Sequence, residues 1–494
     1  MNSKKLIGVI PAAGRGIRLS PYTGKTSKAM LMAGDKPIIE QNISIMRDYL
    51  GIDFIYVLTG YKSQQLESYL GDGKKFGVNI TYIKINNIED GLARGILEAE
   101  KYLKSDFCVI LGDEVYYNTN HKELLQFLEK DFTAVCAVKE VKHTYIIKKN
   151  YSVEIKDNAI TSLTEKPETV TNHYLGCGTY LFKPDIFDYI RKTQPSARSK
   201  RVELVDVINS VAAEGKKVLP FMLKGEYVNV NNIDDYNAAN YMLRSLQFDK
   251  KKISLIIPAY NEAASIGYVI EDFKGKVDEI LVVNNNSKDA TEKIAIEKGA
   301  KVLTGSYKGY GDALKSGMDN AAGDIFILVE ADGSFFARDL GKILEYLKDA
   351  DMVLGTRTTK QMIEQAANMN FILRWGNVFV AKLIELLWLY KAEPRLTDVG
   401  CTYRGIWKSV YYEMRGSLSG KGPEFSPEMI IEAINYNKRT IEIPITYSSR
   451  VGGESKFSKN ILGNARTASK MLRLIARKKI SNIMEWFKSE NTSY

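Results

Sequence analysis

Short hydrophobic runs alternate with amphipathic stretches along both halves of the chain. Runs with the length of buried strands occupy residues 6–10, 54–59, 79–83, 107–111 and 134–138, and then 253–257, 279–283, 325–329 and 352–355. Apolar residues at helical spacing separate them, for example over residues 36–50 and 91–103. This alternation is typical of an α/β fold with a mostly parallel sheet flanked by helices, and its restart near residue 253 predicts two such sheets in tandem.

The restart of the pattern also predicts where the domains meet. A chain of 494 residues is too long for a single hydrophobic core. The helical stretch 234–246 is followed by the polar segment SLQFDKKKIS, and we expect the boundary there. The predicted domains are residues 1–246 and 252–458, followed by a basic amphipathic helical tail over residues 459–494.

Two stretches near the C-terminus bear on membrane contact. The net charge is +10, and residues 459–494 carry eight basic and two acidic side chains. Residues 461–476 put apolar and basic side chains on opposite helical faces, which fits a helix on an anionic membrane or a helix packed on the preceding domain. The apolar stretch 371–390 is interrupted by charges, so we expect an interfacial or core-packed helix rather than a transmembrane one.

The remaining composition limits location and partners. Four widely spaced cysteines without a C-x-x-C pair favour a reduced protein without structural zinc. The first residues lead directly into a strand and do not resemble a signal peptide. We therefore expect a cytoplasmic protein that contacts the inner membrane face at most peripherally. Basic residues without interleaved aromatics argue against nucleic acid as a partner.

The loop after the first strand has the composition of a phosphate site. Its sequence, PAAGRGIRLSPYTGKTSKAM over residues 11–30, combines glycines with Arg15, Arg18, Lys25 and Lys28. Glycines let backbone N–H groups approach a phosphate, and the cations suit a polyphosphate. No G-K-[ST] closes the loop, so it is not a Walker A motif. A solvated basic loop is the alternative interpretation.

This loop resembles the signature of the sugar-1-phosphate nucleotidylyltransferases, with Ser27 where proline is usual. Asp90-Gly91-Leu92-Ala93, Leu111-Gly112-Asp113 and Glu165-Lys166-Pro167 resemble later motifs of that family, so the resemblance spans residues 4–240. Asn229 stands where the family often has an aspartate, and an amide oxygen can also coordinate Mg²⁺. The resemblance implies catalytic roles for Arg18, Lys28 and Lys166, nucleotide contacts at Ala13, Gly14, Gly16, Asn86 and Gly91, substrate contacts at Glu165 and Gly178, and Mg²⁺ (or Mn²⁺) ligands at Asp113 and Asn229.

An acidic pair follows a strand in the second half. Glu330 and Asp332 come directly after the hydrophobic run 325–329, at the sheet edge where doubly wound folds bind ligands. Such a pair suits a divalent cation that bridges a nucleoside diphosphate, although acidic pairs at strand ends are also common on solvated surfaces.

Residues 253–457 resemble the family 2 glycosyltransferases, and within them the polyprenyl-phosphate (dolichyl-phosphate) hexosyltransferase group. The matching motifs are residues 308–314, 355–357, 397–401 and 453–456. Asn284 and Glu330 replace aspartates that are usual in the group. The resemblance implies nucleotide contacts at Pro258, Tyr260, Glu262 and Asn284, metal ligands at Glu330 and the catalytic Asp332, and acceptor contacts at Arg357, Arg450 and Lys456. If the acceptor is a hydroxyl group, Asp398 is the candidate general base; a buried structural carboxylate is the alternative.

Together the resemblances imply tandem Rossmann-like (GT-A-type) domains in a bifunctional enzyme. We expect the first domain to make a nucleotide sugar from a nucleoside triphosphate, UTP before others, and a hexose 1-phosphate. We expect the second domain to transfer the sugar with inversion to polyprenyl phosphate or another acceptor. Two alternatives stay open: a cytidylyltransferase for a non-sugar or polyol phosphate fused to a glycosyltransferase with a hydroxyl acceptor, and a chain with one non-catalytic binding domain.

Overall fold

The computed structural model describes residues 5–19, 23, 26–34, 36–364, 371–392, 395–451 and 461–491. Its chain divides into two compact units, Met1–Leu243 and Arg244–Tyr494. The predicted contacts Lys25 and Lys456, and the motif 453–456 around the latter, lie outside the described residues. The predicted domain boundaries stay predictions.

The N-terminal unit is built on a mixed sheet. Its strands are β1 (Ile7–Pro11), β2 (Met32–Ala33), β3 (Lys36–Pro37), β4 (Phe54–Thr59), β5 (Asn79–Lys84), β6 (Phe107–Ile110), β7 (Glu114–Tyr117), β8 (Ala134–Glu140), β9 (Tyr151–Lys156), β10 (Ala159–Glu165), β11 (Tyr174–Phe182), β12 (Val218–Met222) and β13 (Glu226–Asn229). Its α-helices are α1 (Ile38–Leu50), α2 (Ser63–Leu70), α3 (Leu92–Leu97), α4 (Tyr145–Lys149), α5 (Ile186–Lys192), α6 (Leu204–Ala213) and α7 (Ile233–Gln247), the last of which runs past Leu243.

The strand order of this sheet is β10-β9-β11-β6-β1-β4-β5, with β8 also paired to β11 and β12 paired to β8. Strands β6, β1, β4 and β5 are parallel, whereas β11 runs antiparallel to β6, β8 and β9. The parallel strands β1, β4 and β6 are largely buried, as is typical of strands covered on both faces, whereas the edge strand β5 is partly exposed. Strands β7 and β13 form a separate two-stranded antiparallel ribbon.

The C-terminal unit has a simpler sheet, in the order β16-β15-β14-β17-β19-β18-β20, in which β19 is the antiparallel strand. Its strands are β14 (Ile253–Ala259), β15 (Glu279–Asn284), β16 (Lys301–Thr304), β17 (Ile325–Leu328), β18 (Met352–Thr356), β19 (Arg404–Trp407) and β20 (Thr440–Pro444). Its α-helices are α8 (Ile266–Phe273), α9 (Thr291–Glu297), α10 (Tyr310–Asn320), α11 (Leu340–Leu347), α12 (Phe371–Ala392), α13 (Lys408–Met414), α14 (Phe425–Asn435) and α15 (Ile461–Asn491). The α/β class with two sheets flanked by helices is confirmed.

One predicted helix differs from the observed one. The pattern over residues 91–103 predicts a single helix, but α3 ends at Leu97 and a 3-10 turn follows at Glu100–Tyr102. Apolar spacing continues across the break because Ala99 and Leu103 are both buried. Here the hydrophobic pattern correctly indicates which residues are buried, but it does not indicate where the helix ends.

Helix α12, which contains the stretch 371–390, packs one face into the core and exposes the other. Ala381, Ile384 and Trp388 are fully buried, whereas Phe379 and Leu386 are 65% and 71% exposed. No helix in the described part of the chain combines the length and apolarity needed to cross a bilayer. The prediction of a non-spanning helix is consistent with this observation.

Helix α15 lies within the predicted helical tail and packs against other helices of the C-terminal unit. Leu474 and Ile475 are buried, and the Lys478 ammonium lies 2.9 and 2.8 Å from carboxylate oxygens of Glu428 and Glu432 on α14. One face of α15 therefore packs on the rest of the unit, as the second interpretation expects, while Lys470 and Arg473 are exposed. Leu472, which the pattern places on the apolar face, is 38% exposed.

Candidate functional sites

The order of strands in the N-terminal sheet creates a crevice beside β1. Strand β1 lies between β4 and β6. The connections that follow β1 and β6 leave toward opposite sides of the sheet, so the loops at the carboxyl ends of these two strands diverge. The loops after β1 and β6 still touch, because the Gly112 N–H donates to the Pro11 carbonyl at 3.1 Å. The predicted phosphate loop and the predicted metal ligand Asp113 are therefore neighbours.

A tight turn brings Lys28 to Asp113. Gly16 has φ +59°, and a Cβ there would lie 3.0 Å from the Thr23 methyl group, so a side chain at this position would be strained. The Thr23 hydroxyl donates to the Gly16 carbonyl at 2.9 Å and closes the turn. The Lys28 ammonium forms an ion pair with Asp113, while Arg18 is exposed in the 3-10 turn Ile17–Leu19.

Asn229 and Lys166 are joined through a residue that the motifs did not identify. Asn229 lies opposite Glu114 in the β7–β13 ribbon, and the next residue, Val230, donates its N–H to the Asp113 carbonyl at 3.0 Å. The Asn229 amide nitrogen donates to the side-chain oxygen of Asn150 at 3.0 Å. The Asn150 carbonyl in turn accepts the Lys166 N–H at 2.6 Å.

Gly178 lies over a buried carboxyl group. A Cβ at Gly178 would come within 2.4 Å of a Glu114 oxygen, so only glycine fits there. Burial and the neighbouring Asp113 raise the pKa of Glu114 well above its usual range. Glu165 lies in an ion pair with Arg198 at 3.2 Å, and burial raises its pKa.

The predicted base-binding residues lie at a second edge of the same crevice. A Cβ on Gly60 would lie 3.0 Å from the Ala13 Cβ and 2.7 Å from Ile88, so the phosphate loop and the turn before α3 are in contact. Gly91 begins that helix, and Gly14 is exposed. Asn86 donates both its backbone and side-chain N–H groups to Glu98, at 3.1 and 2.8 Å.

In the C-terminal unit the loops after β14 and β15 are tied together. The Asn261 N–H donates to the Ser287 hydroxyl at 2.9 Å, and the Glu262 N–H donates to the Thr291 hydroxyl at 2.8 Å. Tyr260, after Pro258 and Ala259 of β14, is 40% exposed at this edge.

Asn284 is less available to a ligand than the motif predicts. Its side chain is 1% exposed, its amide nitrogen donates to Glu292 at 2.7 Å, and its oxygen accepts the Ser287 N–H at 3.1 Å. Both the nitrogen and the oxygen of the Asn284 amide are therefore already hydrogen-bonded within the protein. This favours a structural role for Asn284 over a contact to the base.

Glu330 and Asp332 are held together with Arg450. Asp332 is 2% exposed; one carboxylate oxygen accepts from the Ser334 N–H and hydroxyl, and the other lies 3.1 Å from the Arg450 guanidinium. Glu330 accepts from the Thr402 hydroxyl at 2.7 Å and lies 3.8 Å from Arg450. Burial and the adjacent Asp332 raise the pKa of Glu330 to about 7. The two carboxylates therefore repel each other, and a further positive charge would stabilise them.

Arg357 and Asp398 form a bidentate ion pair. The Asp398 oxygens accept from the Arg357 side chain at 2.8 and 3.0 Å and from its backbone N–H at 3.1 Å. Burial opposes ionisation of Asp398, but the bonds to Arg357 outweigh it and lower the pKa of Asp398 below its usual value. A carboxylate held in this way is a weak base, which favours the structural alternative for Asp398.

A buried arginine, unmarked by any motif, shapes the loop that carries these residues. Arg404 is 2% exposed and donates to the carbonyl oxygens of Val399, Cys401 and Ser426 at 2.6–2.8 Å. These bonds fix the segment between Asp398 and Thr402. An isolated arginine in a strand gives no sequence signal for such a role.

Each site has donors that suit a divalent cation. The Asn229 side-chain oxygen is buried without a hydrogen-bond partner, and one oxygen of Asp332 accepts no hydrogen bond. Among the described residues there is no cluster of three or more carboxylate, cysteine or histidine ligands. The oxygen atoms of Asp113 with Asn229, and of Glu330 with Asp332, are of the type that Mg²⁺ prefers.

Comparison with known proteins assigns both halves of the chain. Residues 7–245 match the nucleotidyl transferase family model, and residues 254–412 match the glycosyl transferase family 2 model. The two predicted resemblances are confirmed: residues 7–245 are similar to nucleotidyl transferases, and residues 254–412 are similar to family 2 glycosyl transferases. Both are transferase families, so the prediction of an enzyme with two transferase domains is confirmed at the level of families.

Individual relatives match about half of this chain. The chain is 31% identical to bifunctional protein GlmU of Methanocaldococcus jannaschii over 59% of this chain and 60% of that protein. It is 29% identical to the low-salt glycan biosynthesis nucleotidyltransferase Agl11 of Haloferax volcanii over 50% of this chain and 68% of that protein. It is also 29% identical to UTP–glucose-1-phosphate uridylyltransferase AglF of the same organism, over 48% of this chain and 96% of that protein.

Proposed function

We propose that the N-terminal unit transfers a nucleotidyl group from a nucleoside triphosphate to a hexose 1-phosphate and releases pyrophosphate. The observation that carries this proposal is the linked set Lys28, Asp113, Asn229 and Lys166 at the carboxyl edge of the sheet. Cations and amide or carboxylate oxygens in one crevice suit a reaction between two phosphate groups. The names of the relatives Agl11 and AglF support the same class.

The chemistry needs no general base in this unit. The attacking oxygen belongs to a phosphate that is already ionised, so the enzyme must position two anions and neutralise their charge. Lys28 and Arg18 would hold the triphosphate, and Lys166 would hold the sugar phosphate. Lys166 has φ +46°, a conformation that its bond to the Asn150 carbonyl stabilises.

We propose that the C-terminal unit transfers the sugar with inversion from the nucleotide sugar to an acceptor. When bound, a divalent cation supplies charge neutralisation in both sites: at the α-phosphate beside Asp113 and Asn229, and on the departing nucleoside diphosphate beside Glu330 and Asp332. Arg450 lies against the acidic pair, so it is well placed to balance charge as an anionic acceptor approaches. Arg357, fixed by Asp398, would contribute a second positive charge.

An acceptor phosphate agrees better with this site than a hydroxyl group. A hydroxyl acceptor must lose a proton to a base, and the candidate Asp398 is engaged by Arg357 on both oxygens. A phosphate oxygen is already anionic and needs only cations. We therefore propose polyprenyl phosphate as the acceptor, at the cytosolic face of a membrane.

Helices α12 and α15 support a membrane-bound acceptor. On α12, Trp375, Phe379 and Tyr390 are 51%, 65% and 65% exposed, and Ile480 of α15 is 57% exposed. The helices pack on each other, with the Lys479 ammonium 4.3 Å from the Tyr390 ring centre. Exposed aromatic and apolar side chains beside basic ones suit the interface of an anionic bilayer.

We expect the full chain to bind vesicles of anionic phospholipid at low salt and to be released at high salt. Each basic residue near such a surface contributes about 1 kcal/mol, and salt screens this attraction. The double substitution Lys470→Gln with Arg473→Gln, at exposed positions of α15, should weaken binding in a flotation assay. The matched pair Lys274→Gln with Lys293→Gln, on other surfaces, should not. Equal binding to neutral and anionic vesicles, or none to either, would contradict the proposal.

The nucleotide and sugar can be identified with a panel of nucleoside triphosphates and hexose 1-phosphates, with pyrophosphate release as the readout. We expect UTP with glucose 1-phosphate to be the best pair and GTP with mannose 1-phosphate the next candidate. Turnover with CTP and a polyol phosphate, and with no hexose 1-phosphate, would support the cytidylyltransferase alternative. No turnover with any pair would support a non-catalytic N-terminal unit.

A further inference from the structure

Asn150 connects two parts of the N-terminal site. It lies between α4 and β9, and its side-chain nitrogen donates to the Ile146 carbonyl at 3.1 Å. Its side-chain oxygen accepts the Asn229 amide at 3.0 Å, and more distantly, at 3.5 Å, that of Asn231. Neither family resemblance assigns a role to Asn150.

The hydrogen bonds of Asn150 fix the direction of the Asn229 amide. A backbone carbonyl can only accept, so the Asn150 nitrogen must face Ile146 and its oxygen must face Asn229. That oxygen also can only accept, so the Asn229 nitrogen must face Asn150. The Asn229 oxygen is therefore turned away from Asn150, and it is buried without a hydrogen-bond partner.

A buried amide oxygen without a protein hydrogen-bond partner is a position where an ion or a water can bind. Asn229 lies beside Asp113, because Val230 donates to the Asp113 carbonyl. With an aspartate at position 229 either oxygen could face a cation, since the two are equivalent. An asparagine can instead present its NH₂ group, which repels a cation, so its orientation has to be set.

We propose that Asn150 is a positioning residue that turns the oxygen of Asn229, and not its nitrogen, toward a divalent cation shared with Asp113. The inference rests on the proposed function of the N-terminal unit. Asn150 itself touches neither the cation nor the substrate. Its side chain acts on Asn229, while its backbone carbonyl separately holds Lys166 and is unaffected by side-chain substitution.

The test measures Mn²⁺ affinity by electron paramagnetic resonance on the full chain, with Asp332→Asn included so that the C-terminal site does not contribute. We expect Asn150→Ala to lower the affinity of the N-terminal site about 10- to 100-fold, the range for residues that orient metal ligands. In the Asn229→Asp background, the same Asn150→Ala substitution should cause less than about a threefold loss, because a carboxylate needs no orientation. The matched control is Asn231→Ala, which removes another donor to Asn150 and should leave the affinity unchanged.

If Asn150→Ala lowered the Mn²⁺ affinity equally in the Asn229 and the Asn229→Asp backgrounds, Asn150 would have a general structural role. That result would overturn the proposal. No loss in either background would overturn it too. If Asn150→Ala does not fold, Asn150→Ser replaces it, since one hydroxyl is too short to reach both partners. Failure of the proposed function is recognised separately: Mn²⁺ would then not bind the N-terminal site of the Asp332→Asn chain, and Asp113→Asn would change nothing.

Discussion

We expect the substitution Asp332→Asn to lower sugar transfer strongly and to leave nucleotide-sugar synthesis unchanged. Asp332 is buried, and the oxygen that accepts no hydrogen bond lies 3.1 Å from the Arg450 guanidinium, so we expect this carboxylate to be the main anionic group for cation binding in the C-terminal site. Loss of one such electrostatic contact costs about 10²- to 10³-fold in rate, or about 3–4 kcal/mol of barrier. The measurement is transfer from supplied nucleotide sugar, with pyrophosphate release assayed in parallel.

Glu330→Asp is the matched control for this prediction. It keeps the charge and restores the residue usual in the family 2 group, although the shorter side chain moves away from the Thr402 hydroxyl. We expect transfer to be retained within about tenfold, since one hydrogen bond contributes about 1 kcal/mol. Normal Mg²⁺-dependent transfer by the Asp332 variant would rule out the proposed role of Asp332.

The second large effect is expected in the N-terminal unit. Asp113→Asn and Lys28→Ala each remove one partner of the ion pair at the crevice, and each should lower pyrophosphate release by about 10²- to 10³-fold. Transfer from supplied nucleotide sugar should stay intact, because neither residue belongs to the C-terminal unit. The assay is pyrophosphate release with the best substrate pair.

Lys36→Ala is the control for Lys28→Ala. Lys36 also pairs with a carboxylate, Glu40 at 3.1 Å, but its side chain is 57% exposed and lies outside the site. Its loss should change the rate less than twofold, since exposed ion pairs contribute about 0–1 kcal/mol. If a Lys28 or Asp113 variant lost both activities while still folded, the assignment of separate sites would be wrong.

The alternation of strands and helices could be predicted because parallel strands covered on both faces are continuous hydrophobic runs. β6 and β17 lie within predicted runs, and β1 and β14 overlap predicted runs and extend one and two residues beyond them. The antiparallel strands β9 and β10 were not predicted as elements. β9 buries only its first three residues, one of which is a serine, and β10 buries only Ile160 and Leu163, so their apolar signal is weak.

The site residues also fall into two groups: those that lie in a short local motif, and those whose role depends on a partner far away in the sequence. Lys28, Asp113 and Asp332 lie in short motifs, so they could be named from the sequence. Asn150 could not, because its partner Asn229 is 79 residues away in the chain. Thr402 is likewise 72 residues from Glu330. Roles that depend on such pairings become visible only when the fold brings the partners together.

Asn284 shows the opposite case, in which a motif suggests a contact that the fold redirects. Its position at the end of β15 matches a base-binding residue, yet Glu292 and Ser287 bond to both ends of its amide. The contact of Asn284 with a donor base stays a prediction, and these bonds favour a structural role for its side chain.

We propose that one chain both makes a nucleotide sugar and transfers its sugar. The most direct measurement follows labelled hexose 1-phosphate into the organic-soluble fraction, with nucleoside triphosphate, Mg²⁺ and polyprenyl phosphate present. We predict label in that fraction for the full chain and none for Asp113→Asn or Asp332→Asn alone, with the Asp332 variant accumulating labelled nucleotide sugar. Mixing the two variants should restore transfer. Labelled lipid from the Asp113 variant alone, or no labelled lipid from the full chain with any triphosphate, would contradict the claim.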